Sequence, residues 1–87
     1  MFSNFGSQES VYCLKSIQKL RDNGIISELY PDAVKLKKQI SYANKKDIPY
    51  VALVGDEEIK QNKITLKKMS DGSQKILDIN ELIKMFA

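Results

Sequence analysis

The chain has 87 residues, 43% hydrophobic and 29% charged, with a net charge of +3, one cysteine and no histidine. This length supports one domain with one modest core, and the composition is that of an ordinary globular protein. A lone thiol excludes an internal disulfide, and without histidine the chain by itself offers no zinc site, serine triad or imidazole acid–base chemistry.

No apolar run approaches the ~20 residues that span a bilayer. Met1-Phe2-Ser3-Asn4-Phe5-Gly6 has neither the basic nor the long apolar region of a signal peptide. A cytoplasmic location is the expectation. The mildly basic balance favours polyanionic partners.

Phe2 and Phe5 suggest a short first strand ended by Gly6, with almost nothing before it. The front edge looks cut, so residues 1–87 read as a single domain excerpted from a longer chain. Residues 7–23 then follow a helical period: Cys13, Leu14, Ile17 and Leu20 share one arc, and Tyr12, Lys15 and Lys19 the opposite one. Cys13 therefore reads as a buried small hydrophobe rather than a reactive thiol. Asn23-Gly24 supplies the helix stop.

Residues 25–30 read as a second strand ended by Pro31, with Asp32 as N-cap of a helix over 33–46. That helix has the sharpest segregation in the chain: Ala33, Leu36, Ile40 and Ala43 on one arc, Lys35, Lys38, Gln39, Tyr42 and Lys46 on the other. The apolar run 50–54 suits a strand covered on both faces. Gly55-Asp56-Glu57-Glu58 reads as an acidic loop, followed by a polar turn at Gln61-Asn62. Residues 64–67 alternate with period two, and Ser70-Asp71-Gly72 marks a hairpin before a strand over 74–77. Asp78-x-x-Glu81 has capping-box spacing ahead of a last helix, with Leu77 and Leu82 placed as a hydrophobic staple and Asn80 as a competing cap. The order β-α-β-α-β-β-β-α predicts an α/β mixed sheet with helices on both faces.

Metal-ligand spacings, P-loops and dinucleotide fingerprints are all missing, so neither catalytic nor metal-binding residues are assigned. What remains is a docking surface. Lys35, Lys38 and Lys46 can neutralise phosphates, while Gln39 and Tyr42 can hydrogen-bond or stack on a splayed base. Glu58, beyond the carboxyl end of a buried strand, can accept hydrogen bonds from a guanine edge. Lys67 faces the same groove if its side alternates away from Ile64 and Leu66. Against this stands a plainer reading, in which the lysine face is merely solvated, the acidic turn is idle and Tyr42 covers a helix edge. The residues alone support a small α/β binding module with affinity for polyanions.

The run Glu28-Leu29-Tyr30-Pro31-Asp32, with Lys35-Leu36-Lys37-Lys38-Gln39, Tyr42-Ala43, Ile48-Pro49-Tyr50-Val51, Gly55-Asp56-Glu57-Glu58 and Ile64-Thr65-Leu66-Lys67, resembles the C-terminal anticodon-binding domain of histidyl-tRNA synthetases. The resemblance extends from Asn4-Phe5-Gly6 to the final helix. It implies a three-layer fold, a five-stranded mixed sheet flanked by three helices, and recognition of the GUG anticodon of histidine tRNA. Family contacts map onto Lys35, Lys38 and Gln39, then Glu58, then Lys67. The related threonine branch uses arginines where this chain has Ser41 and Lys67. The resemblance also implies a separate catalytic domain using ATP and Mg²⁺, a homodimeric parent, and no cofactor or catalysis in this chain. Two other readings stay open: a free-standing regulatory relative that binds a protein or tRNA-like RNA, and a small-molecule or redox domain using Cys13.

Overall fold

The helix anticipated after Gly6 forms as α1 (Ser7–Asp22) in a computed structural model that describes residues 1–86. Its end is a Schellman closure. The Ile25 N–H reaches back to the Leu20 carbonyl at 2.9 Å, the Gly24 N–H to Arg21 at 3.0 Å, and Gly24 takes φ 78°. Cys13, Ile17 and Leu20 are buried as their arc predicts. Leu14, at the margin of that arc, is instead 55% exposed.

Three strands form one antiparallel sheet, β1 (Tyr50–Leu53), β2 (Ile64–Lys68) and β3 (Gln74–Leu77), in the order β1-β2-β3. The five-stranded expectation is corrected here. The first two expected strands contribute only isolated parallel bridges, Phe2 to Leu29 and Phe2 to Ala52. The ladder around Phe2 is short because side-chain hydrogen bonds end it. Phe2 N–H donates to Glu28 at 2.7 Å, Tyr30 to Phe2 at 2.9 Å, and Ser3 to Ala52 at 2.9 Å. One residue later, the Asn4 N–H and carbonyl are both taken by the Gln39 side chain, so no strand can continue the pairing. On the other side, Ile26 is 89% exposed and makes no sheet surface.

The parallel bridges give Leu29, Phe2 and β1 a common direction, so Tyr30, Asn4 and Gly55 all leave the sheet at one end. On one face, Phe2, Ala52, Ile64 and Leu66 pack with Cys13, Ile17 and Leu20 of α1 and Leu82 of α4 (Ile79–Phe86). By alternation Ser3 and Val51 point to the other face, and both are fully buried. The cover there comes from α2 (Leu36–Lys45), whose Ala43 is equally buried. Covering stops at β1, because Thr65 and Lys67 on β2 are only half-buried and Ile76 on β3 is 62% exposed.

Two further expectations change. The acidic loop is a short helix, α3 (Asp56–Gln61), so four helices are formed among the described residues rather than three. α2 begins at Leu36, with Lys35 rather than Asp32 at its cap position. At its far end Asp47 adopts φ 55°, closing a second Schellman turn through Ile48 N–H to the Ala43 carbonyl at 2.9 Å. The last helix starts as its sequence says. Asp78 Oδ1 accepts from the Glu81 N–H at 2.8 Å and Glu81 Oε1 from the Asp78 N–H at 3.2 Å, while Leu77 packs toward Leu82. Asn80 is not the cap.

Candidate nucleic-acid interface

α2 carries no acidic residue within its span Leu36–Lys45. Lys35, Lys38 and Lys46 are exposed, and Tyr42 is 38% exposed on the same flank. The two ion pairs among the described residues, Lys60–Glu57 at 4.0 Å and Lys63–Glu81 at 3.9 Å, leave these lysines out. Their charge is therefore not offset locally, which is what a polyanion needs to find.

Gln39 does not belong to that exposed set. It is fully buried. Its Oε1 accepts the Asn4 N–H at 2.8 Å, and its Nε2 donates to the Asn4 carbonyl at 2.8 Å and the Val34 carbonyl at 2.9 Å. With both amide ends satisfied inside the protein, direct base reading by Gln39 is overturned. Its role is to clamp the first turn of α2 to the segment after Phe2. Capture of the Val34 carbonyl also explains why the helix starts late, since that oxygen serves a side chain instead of a helical N–H. Asn4 extends the clamp: its Nδ2 donates to the Tyr30 carbonyl at 2.9 Å, and its Oδ1 accepts from Gly6 N–H at 3.1 Å and Ser10 Oγ at 3.0 Å.

Glu58 occupies the third position of α3, half-buried, with Oε1 accepting the Gly55 N–H at 2.7 Å. A carboxylate has two oxygens, so one remains for a ligand. Because α3 starts directly after β1 and α2 is clamped beside Asn4, Lys35, Lys38 and Glu58 lie toward the same end of the sheet. Lys67 stands apart from Tyr42. It pairs with Val51 in register and lies on β2, whereas Tyr42 meets Tyr30 beside the sheet edge formed by Leu29.

Asn4 and Tyr30 escaped sequence reasoning. A signal existed: Gln39 follows Leu36 by three and precedes Ala43 by four, which places it against the buried arc. A buried glutamine requires polar partners, which backbone groups near it must supply. Cys13 is buried beside the Ser3 carbonyl, 3.8 Å from Sγ, and desolvation first, then Glu9, pushes its thiol up to about 12. It is therefore no nucleophile at neutral pH. Among the described residues no three His, Cys, Asp or Glu side chains gather as a metal site. None of the described helices is long and apolar enough to cross a membrane.

The chain is similar to a histidine–tRNA ligase of Christiangramia forsetii, 51% identical over 82 residues, covering 94% of this chain but 18% of that protein. Its fold matches a histidyl-tRNA synthetase from Nostoc at TM-score 0.89 and 25% identity, over 97% of this chain and 20% of that one. The RNA-binding domain of a threonyl-tRNA synthetase from Cryptosporidium parvum shares the fold at TM-score 0.89 and 21% identity, over 98% of this chain and 22% of that one. The chain thus spans about a fifth of the length of these proteins. Residues 4–87 match the model of the anticodon-binding domain family, to which this chain belongs.

Proposed function

We propose that this chain binds the anticodon loop of histidine tRNA, reading GUG, and serves as the tRNA-positioning part of a histidine–tRNA ligase. The carrying observation is the acid-free, cationic flank of α2 at the sheet end where Glu58 also emerges. Exposed Lys35 and Lys38 meet loop phosphates, which gives affinity without sequence information. The free oxygen of Glu58 accepts from a guanine Watson–Crick edge, which gives discrimination. Lys67, on β2, meets a further phosphate.

ATP and Mg²⁺ act in the catalytic domain of the full ligase, a cytoplasmic homodimer. This chain contributes no reacting group. Binding energy gathered at the anticodon holds the acceptor end at the remote site, which is how non-reacting parts of a substrate support catalysis.

The test is titration of the chain with a GUG-loop hairpin and with hairpins altered at single anticodon bases. Tighter binding of GUG supports the proposal, and loss of that preference in Glu58→Gln assigns the discrimination. Equal affinity for all loops refutes it.

A further inference from the structure

Tyr42 is an aromatic ring on an otherwise cationic flank, 38% exposed. It meets Tyr30 edge to face, with centroids 5.3 Å apart and planes at 80°. A T-shaped pair uses the edge of one ring and one face of the other, so ring surface remains for a third planar group. The backbone that carries each ring is tied down. Asn4 Nδ2 holds the Tyr30 carbonyl at 2.9 Å, and Gln39, one turn before Tyr42, is locked to the Asn4 backbone by two bonds of 2.8 Å. Ordering of these backbone segments therefore costs little on binding. Lys38 lies four residues before Tyr42 on the same flank and is exposed, as is Lys35.

From this geometry we infer that Tyr42, braced by Tyr30, is a stacking platform for one unpaired base of a single-stranded RNA loop, with Lys38 and Lys35 on the adjoining phosphates. The inference deepens the RNA reading above and rests on it. Asn4 and Gln39 are positioning residues for this platform, touching no base themselves.

The test uses the 87-residue chain and GUG-loop hairpins carrying 2-aminopurine at each loop position in turn. One position changes emission on binding. Tyr42→Phe, which keeps the ring, preserves both that change and the affinity. Tyr42→Leu erases the change and weakens binding about 5- to 150-fold, the range for loss of one base–aromatic stack. Its salt slope stays that of the parent, whereas Lys38→Ala lowers the slope by about 0.7. Equal binding by the Phe and Leu variants overturns the platform and leaves Tyr42 as a cover for the helix edge. So does an unchanged emission at every position, a readout that needs only the unsubstituted chain. Indifference to anticodon sequence with an intact Phe–Leu contrast refutes the anticodon reading alone, and failure to bind any hairpin removes both.

Discussion

The Gln39 side chain shows what one buried amide can organise. It satisfies three backbone groups, the Asn4 N–H and the carbonyls of Asn4 and Val34, none of which has a helix or strand partner there. Gln39→Leu keeps the volume and strands all three. Each unsatisfied buried group costs about 1–3 kcal/mol, so a loss of roughly 2–4 kcal/mol is expected once some relaxation is allowed. Urea unfolding checks this, with an unchanged m-value showing that the native state remains compact. A loss below 1 kcal/mol would mean that water readily replaces the amide. The residue type was visible from the start, but its direction was not. Gln39 sits where two arcs of the helical wheel meet, and polarity alone assigned it to solvent.

At the scale of elements, the α4 cap and the β2–β3 turn were readable, whereas the starts of α2 and α3 were less so. Asp78-x-x-Glu81 closes α4 as a reciprocal pair, and Asp71 ties the β2–β3 hairpin through Ser73 N–H at 2.9 Å and Ser73 Oγ at 2.7 Å. These bonds favour the ionised carboxylates. The Glu81 N–H foremost holds Asp78 below its ordinary value, and the Ser73 N–H does the same for Asp71. A carboxylate depressed in the folded state stabilises above its unfolded pKa, near 3.9, and loses that contribution as pH falls through its folded value. Acidification below about pH 4 should therefore fray α4 and the hairpin before the core opens. Amide exchange at Glu81 and Ser73 checks this, and Asp78→Ala should abolish the pH response at Glu81 while sparing Ser73. By contrast, α3 is only six residues long. No periodicity can develop over so few positions, and Asp56-Glu57-Glu58 passed for a loop, although Glu58 three residues after Gly55 and acids in the first turn were legible helix-start signals.

For the whole molecule, the arrangement of faces decides how charge is used. α2 covers β1 and leaves β2 and β3 open on that side, so the cationic flank beside Tyr30 and the lysine on β2 form two contact regions. Removing either Lys38 or Lys67 should weaken binding to every loop alike and reduce the log–log salt slope by about 0.7 each. Because the two lie on different elements, α2 and β2, their effects should add within about 0.5 kcal/mol in the double variant. Anisotropy titrations at several salt concentrations measure both quantities. Strong coupling would place the two lysines on one phosphate and contradict the separation.

The sequence by itself determined the locally encoded features. α1 with its glycine closure, the β2–β3 hairpin, the α4 cap, the burial of Cys13 and the family motifs all rest on neighbours within a few residues, where spacing and residue type suffice. Only the tertiary structure decided that the first two strands shrink to bridges around Phe2, and that Gln39 turns inward to end that ladder at Asn4. It alone set Tyr30 against Tyr42 and paired Lys67 with Val51. Each of these outcomes depends on partners about 12 to 50 residues away in the chain. A hydrogen-bonding group goes to whichever acceptor or donor the packed fold brings near, and the chain order does not name it.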